Sequence, residues 1–139
     1  MQSLVQSPLR LSPELSKLPQ LVAYIDMFAH QCGLNCADRY AVTLAAEELF
    51  SNTIKHSHSP ANWVEFSLIR VNDSVIATYT DDALPFDPTL QAESDITASA
   101  EDRRVGGLGI HFIRKAMRSF HYSRLGNRNV LTFNRHLTG

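Results

Sequence analysis

Trp63-Val64-Glu65-Phe66-Ser67-Leu68-Ile69-Arg70-Val71-Asn72-Asp73-Ser74-Val75-Ile76-Ala77-Thr78-Tyr79-Thr80 is the stretch on which the fold class turns. Two runs rich in β-branched and aromatic residues flank a short polar break, the pattern of a β-hairpin. A second hairpin is read at residues 120–125 and 129–133, around Gly126-Asn127-Arg128. Hairpins make neighbouring strands antiparallel, whereas a parallel sheet needs a crossover after each strand.

Outward from the hairpins the period changes. Leu15, Leu18, Val22, Ile25 and Phe28 recur at helical spacing. Ser12 is read as the N-cap, Pro13 as the first helical residue, Pro19 as a split or kink, and Gly33 as the stop. Asn35 or Asp38 opens a second helix, which runs to about His56 and ends at Ser59-Pro60-Ala61. Ile110, Ile113, Ala116 and Met117 mark a third helix behind Gly106-Gly107-Leu108-Gly109. Leu4, Val5, Leu9 and Leu11 predict an edge strand over residues 3–11, bounded or interrupted by Pro8. The expected order is β-α-α-β-β-loop-α-β-β. That is an α+β fold: a two-layer sandwich, its mostly antiparallel (mixed) sheet covered by helices on one face.

Composition narrows the function classes. The chain has 139 residues, 44% of them hydrophobic and 19% charged, and a formal net charge of −1. This is a globular composition, of a length expected for one domain over residues 1–139. A near-neutral chain lacks the basic footprint of a nucleic-acid binder. No apolar run approaches the ~20 residues of a membrane span. Met1-Gln2-Ser3-Leu4-Val5-Gln6 has no charged stretch leading into an apolar one, so a cytoplasmic protein is expected. Cys32 and Cys36 stand four apart near His30, the spacing of neither a redox pair nor half a zinc framework; they read as small thiols in a reducing compartment. His56 and His58 sit at a helix end, where histidines are dipole partners more often than ligands.

Three segments carry candidate chemistry. On the second helix, Glu48, Asn52 and Lys55 fall within roughly a 60° arc at the edge of the apolar face. Alone, that arc reads as a solvated helix face. Its chemistry is nonetheless pointed: a carboxamide oxygen suits Mg²⁺, a carboxylate one turn earlier accepts a proton, and a lysine one turn later meets phosphate charge. Asp81-Asp82-Ala83-Leu84-Pro85-Phe86-Asp87-Pro88 follows a strand, where an Asp accepts a hydrogen bond from an exocyclic amine. Gly106-Gly107-Leu108-Gly109 precedes a helix whose N-terminus favours an anion, and Arg103 and Arg104 stand just upstream. It is neither a Walker A loop nor a Rossmann fingerprint. The polar residues 81–105 form a loop of a length that is usually functional.

Taken together, Glu48-x-x-x-Asn52-x-x-Lys55-His56, Asp81-x-Ala83-x-Pro85-Phe86-Asp87-Pro88 and Gly106-Gly107-Leu108-Gly109 resemble the N, G1 and G2 boxes of the GHKL ATPase superfamily, with its Bergerat ATP-binding fold. The likeness covers nearly the whole chain, and within the superfamily it is nearest to the bacterial anti-sigma-factor serine/threonine kinases. The resemblance implies ATP and Mg²⁺ as cofactors, Asn52 as the Mg²⁺ ligand, and Glu48 as the base that receives the proton of a substrate serine. It implies Asp81 as the partner of the adenine amine, and Gly107 and Gly109 as places where the backbone nears the phosphates. Lys55, His56, Ala83, Phe86, Arg104, Gly106 and Leu108 are expected at the nucleotide, and residues 89–105 as the ATP lid.

The resemblance further implies a kinase that phosphorylates an antagonist protein on Ser or Thr and sequesters a sigma factor or similar regulator, and it accommodates a homodimer. A histidine kinase would add a helix presenting a phosphoacceptor His, and gyrase- or chaperone-like ATPases would add further domains; neither is read here. One position departs from the pattern: the G1 box usually reads Asp-x-Gly, and Ala83 stands at the glycine. Were positive φ needed there, alanine would be strained; were only a small residue needed, its methyl would fit. The alternative reading is therefore a nucleotide-gated or non-catalytic protein-binding adaptor with a degenerate ATP site.

Overall fold

A computed structural model describes residues 4–55, 60–90 and 108–138. The elements are β1 (Leu4–Val5), β2 (Leu9–Leu11), a 3₁₀ turn (Leu15–Lys17), α1 (Leu18–Cys32), α2 (Cys36–Lys55), β3 (Val64–Val71), β4 (Ser74–Asp81), a second 3₁₀ turn (Pro88–Leu90), α3 (Leu108–Ala116), β5 (Ser119–Leu125) and β6 (Arg128–His136). The strands lie in the order β1-β3-β4-β6-β5, with β2 also on the outer side of β3. Every pairing among the described strands is antiparallel, so the expected order and architecture are found without a parallel component.

The sheet is one-sided because its strands alternate. Val64, Phe66 and Leu68 of β3, Val75, Ala77 and Tyr79 of β4, and Leu131 and Phe133 of β6 point inward. They share one core with Leu21, Ile25 and Phe28 of α1, Val42, Ala45, Ala46, Leu49 and Phe50 of α2, and Ile110 and Ile113 of α3. Burying each large apolar side chain contributes about 1.5–3 kcal/mol. Phe66 links the layers through edge-on contacts with Tyr24 and Tyr79, at centroid distances of 6.0 and 6.5 Å.

One sequence expectation is refined and another changes. The edge strand over residues 3–11 is interrupted near Pro8, forming two short strands. Val5 faces Ile69 and Leu9 faces Phe66, so three residues on one side oppose two on the other. Pro8, which has no N–H to donate, lies in this bulge. The first helix begins at Leu18 and not at Pro13; Pro19 sits in its first turn, where a missing N–H costs nothing, and it makes no kink. Ser12 instead bonds Glu14. Gly33 ends α1 as expected, at φ 69°.

Asn35 caps α2, its Oδ1 accepting from the Asp38 N–H at 2.8 Å. Asp38, the other candidate cap, is 1% exposed and holds the last strand instead. It pairs with Arg135 at 3.0 Å and accepts from the Thr138 N–H at 3.0 Å. Arg135 also donates to the Ala116 carbonyl at the end of α3. One buried ion pair thus ties α2, α3 and β6 together. The tight turn between β3 and β4 places Asn72 at φ 55°, a conformation asparagine tolerates.

Candidate functional site

The layers place the C-terminal half of α2 over the end of β4 and the start of β6. A pocket opens there, lined by Leu49, Asn52 and Thr53 of α2, Asp81, Ala83, Phe86 and Pro88 after β4, and Asn129 and Leu131 of β6. Four residues singled out in the sequence, Asn52, Asp81, Ala83 and Phe86, therefore meet around one cavity, though Asn52 and Asp81 come from different layers.

Asp81 is 7% exposed and held at one oxygen. Its Oδ1 accepts from the Ala83 N–H at 3.1 Å and from Asn129 Nδ2 at 2.9 Å. Asn129 is the hub of the loop. Its Nδ2 also donates to the Leu84 carbonyl at 2.9 Å, and its Oδ1 accepts from the Tyr122 hydroxyl at 2.6 Å and the Phe86 N–H at 3.2 Å. Arg124 Nη1 donates to the Ala83 carbonyl at 2.8 Å. The loop after β4 is thereby pinned to the β5–β6 hairpin. The sequence reading gave Asn129 no role, although a signal was present: at strand period Asn129 shares the inward register of Leu131 and Phe133, a polar residue where apolar ones belong.

Ala83 is buried, and among the described non-glycine residues only Asn72 has positive φ. The alanine therefore sits on ordinary backbone, and the strain its place in the motif raised does not arise. Thr53 and Tyr79 fix the floor. Their hydroxyls lie 2.6 Å apart, and Tyr79 donates to the Leu49 carbonyl at 3.2 Å. Burial pushes the Tyr79 phenol far above its usual range, so it stays neutral and donating. Asp82 is structural. Burial works to raise its pKa, but the N–H groups of Trp63 and Asn62 and the Asn62 amide outweigh it and hold the carboxyl below the usual range.

Glu48 lies outside the pocket lining, on the side of α2 that faces α3. Its Oε2 is buried with no hydrogen-bond partner among the described residues. Burial pushes its carboxyl above the usual range, and the positive charge of Lys55 pulls the other way. Lys55 is exposed at the end of α2. Gly109 sits in the first turn of α3 directly against Glu48: a Cβ there would lie 1.8 Å from the Glu48 Cδ. Leu108 begins α3. His56, Arg104, Gly106, Gly107 and residues 91–105 of the expected lid fall outside the described residues; its first two residues, Thr89 and Leu90, end the 3₁₀ turn that starts at Pro88, and the Thr89 carbonyl accepts from Arg114.

The donor set suits a purine nucleotide with a hard cation. An anchored carboxylate stands at one end of the pocket, apolar walls line it, and a carboxamide only 7% exposed, Asn52, lies on the helix above. Residues 11–135 match the histidine kinase-like ATPase domain family, and the chain belongs to that family. It is 27% identical over 100 residues to the serine/threonine-protein kinase BtrW of Bordetella bronchiseptica, covering 70% of each chain. Its fold matches the RsbU and RsbW domains of a Mycobacterium tuberculosis protein with a TM-score of 0.62 at 13% identity, over 95% of this chain and 33% of that one. The chain thus spans about a third of that protein's length. It also matches a chain of the SiaB–SiaC complex of Pseudomonas aeruginosa, with a TM-score of 0.61 at 12% identity, over 94% of this chain and 88% of that one. The expected superfamily and α+β architecture therefore hold. Among the described residues, no helix is long and apolar enough to cross a membrane.

Proposed function

We propose that the chain is an ATP-dependent serine/threonine protein kinase that acts on an antagonist protein and, in the same regulatory circuit, holds a sigma factor or similar regulator. The observation that carries this reading is the convergence of Asn52 and Asp81 on one pocket, with Glu48 beside it. The likeness to a serine/threonine kinase and to a chain solved in a two-protein complex supports a protein partner over a bare ATPase.

In this reading Asp81 accepts from the adenine amine. Asn129 and the Ala83 N–H hold its Oδ1, which orients the carboxylate toward the pocket. Asn52 presents its carboxamide oxygen to Mg²⁺, which neutralises phosphate charge when bound. Glu48 receives the proton of the attacking hydroxyl; its raised pKa brings it nearer the operating pH, as a proton acceptor requires. In this reading residues 89–105 serve as the ATP lid, and Lys55, His56, Arg104, Gly106 and Gly107 act as nucleotide-binding residues. Most of the rate then comes from positioning and electrostatics. A cytoplasmic homodimer fits the same reading.

The test has two stages. Calorimetry with Mg-ATP is expected to show saturable binding, weakened in Asn52→Ala and Asp81→Asn. Transfer of labelled phosphate to a co-purified antagonist protein, lost in Glu48→Gln, then identifies a kinase. Binding without transfer would leave the adaptor reading that Ala83 first raised.

A further inference from the structure

Gly109 lies in the first turn of α3, and its φ is not in the left-handed region. Backbone conformation therefore does not demand glycine there. Space does. The Cβ of any other residue would lie 1.8 Å from Glu48 Cδ, 2.0 Å from Oε1 and 2.1 Å from Cγ. All three atoms belong to one flexible side chain, so an alanine at 109 displaces Glu48 from this position.

We propose that Gly109 is a positioning residue: the volume of its absent Cβ is the seat of the Glu48 carboxyl. The last glycine of one motif and the glutamate of another then meet in one steric fit. In that seat the carboxyl is turned toward α3, and its Oε2 has no hydrogen-bond partner among the described residues. The kinase reading makes this carboxyl the proton acceptor, and the seat fixes where the side chain is held. The catalytic part of this inference rests on the kinase reading above; the steric part does not.

The experiment compares the wild-type chain with Gly109→Ala. First, the Glu48 side-chain carboxyl is titrated by carbon NMR without nucleotide. In the wild type it titrates above the ordinary glutamate range, Lys55 being the charge that opposes the shift. In Gly109→Ala the displaced carboxyl is expected back in that range, and an unchanged titration overturns the proposal. Second, phosphate transfer to the antagonist protein is measured. Gly109→Ala is expected to lower kcat by up to about 100-fold while KM for ATP changes by less than about threefold. A loss carried by KM instead assigns Gly109 to the phosphates and also overturns the proposal. Absence of transfer in the wild type sinks only the kinase reading, because the titration still judges the seat.

Discussion

Asn129 stands directly opposite Asp81 in the ladder between β4 and β6, and its Nδ2 donates to Asp81 Oδ1 at 2.9 Å. The register of two strands thus sets the orientation of the carboxylate in the pocket. The same amide spans the loop after β4, so the acceptor and the wall of the cavity are fixed together.

Asn129→Ala removes that amide while Asp81 and the Leu84 carbonyl remain. Leaving buried partners unsatisfied costs about 1–3 kcal/mol. Urea unfolding is expected to show a loss of that size. Mg-ATP binding should weaken further than stability alone explains, because the Asp81 carboxylate is free to turn. A variant that binds Mg-ATP as the wild type does would show that Asn129 serves the fold only.

Glu48→Gln makes stability depend on pH in a direction that can be worked out. Burial raises the folded-state pKa of Glu48 above its unfolded value, so the fold favours the neutral carboxyl. Wild-type stability therefore declines as pH rises from the unfolded pKa, about 4.3, through the raised folded value, and is flat above it. Glutamine stays neutral throughout. The variant should melt higher than the wild type at pH 7–8, and the difference should shrink below about pH 4. A melting-temperature difference constant from pH 3 to 8 would contradict the burial argument.

Ala83→Gly tests the departure from the family pattern. Since Ala83 is on ordinary backbone, glycine relieves no strain. It is expected to lower stability by about 0.4–1 kcal/mol through the freedom it adds to the unfolded chain. Mg-ATP affinity should change by less than about threefold, or 0.7 kcal/mol. Ala83→Leu, by contrast, projects a larger side chain from the pocket wall and should abolish binding with the circular-dichroism spectrum preserved. A large gain in affinity on Ala83→Gly would revive the adaptor reading.

Arg135→Met strands the Asp38 carboxylate in the core beside Thr138. Removing one partner of a buried ion pair costs about 3–5 kcal/mol, whereas replacing both partners is milder. Denaturant unfolding of Arg135→Met and of Asp38→Leu/Arg135→Met is expected to rank the double variant as the more stable. The reverse order would mean that the Thr138 N–H and hydroxyl satisfy the Asp38 carboxylate without the arginine.

Local pattern alone determined a great deal here. β-branched and aromatic runs around short polar breaks marked β3 and β4, a second hairpin was read at β5 and β6, helical spacing marked the three helices, Gly33 marked the end of α1, and Asn72 marked the turn. These features depend on neighbours within a few residues, and hydrophobic period reports them directly. The motif residues Glu48, Asn52 and Asp81 were legible as well, because their spacing is a recognisable order along the chain.

Tertiary structure decided what those residues touch. Asn129 meets Asp81 across 48 positions, Thr138 meets Asp38 across 100, and Gly109 seats Glu48 from another helix. Asp38, one of two candidate caps, became half of a core ion pair, and the interruption expected at Pro8 took the form of a bulge opposite β3. Each outcome depends on which elements pack together and in what register. A side chain carries no mark of its partner when that partner is brought in by strand pairing and helix packing far along the chain. The polar residue in an apolar register, Asn129, is the exception: its place in the strand announced that something buried had to satisfy it.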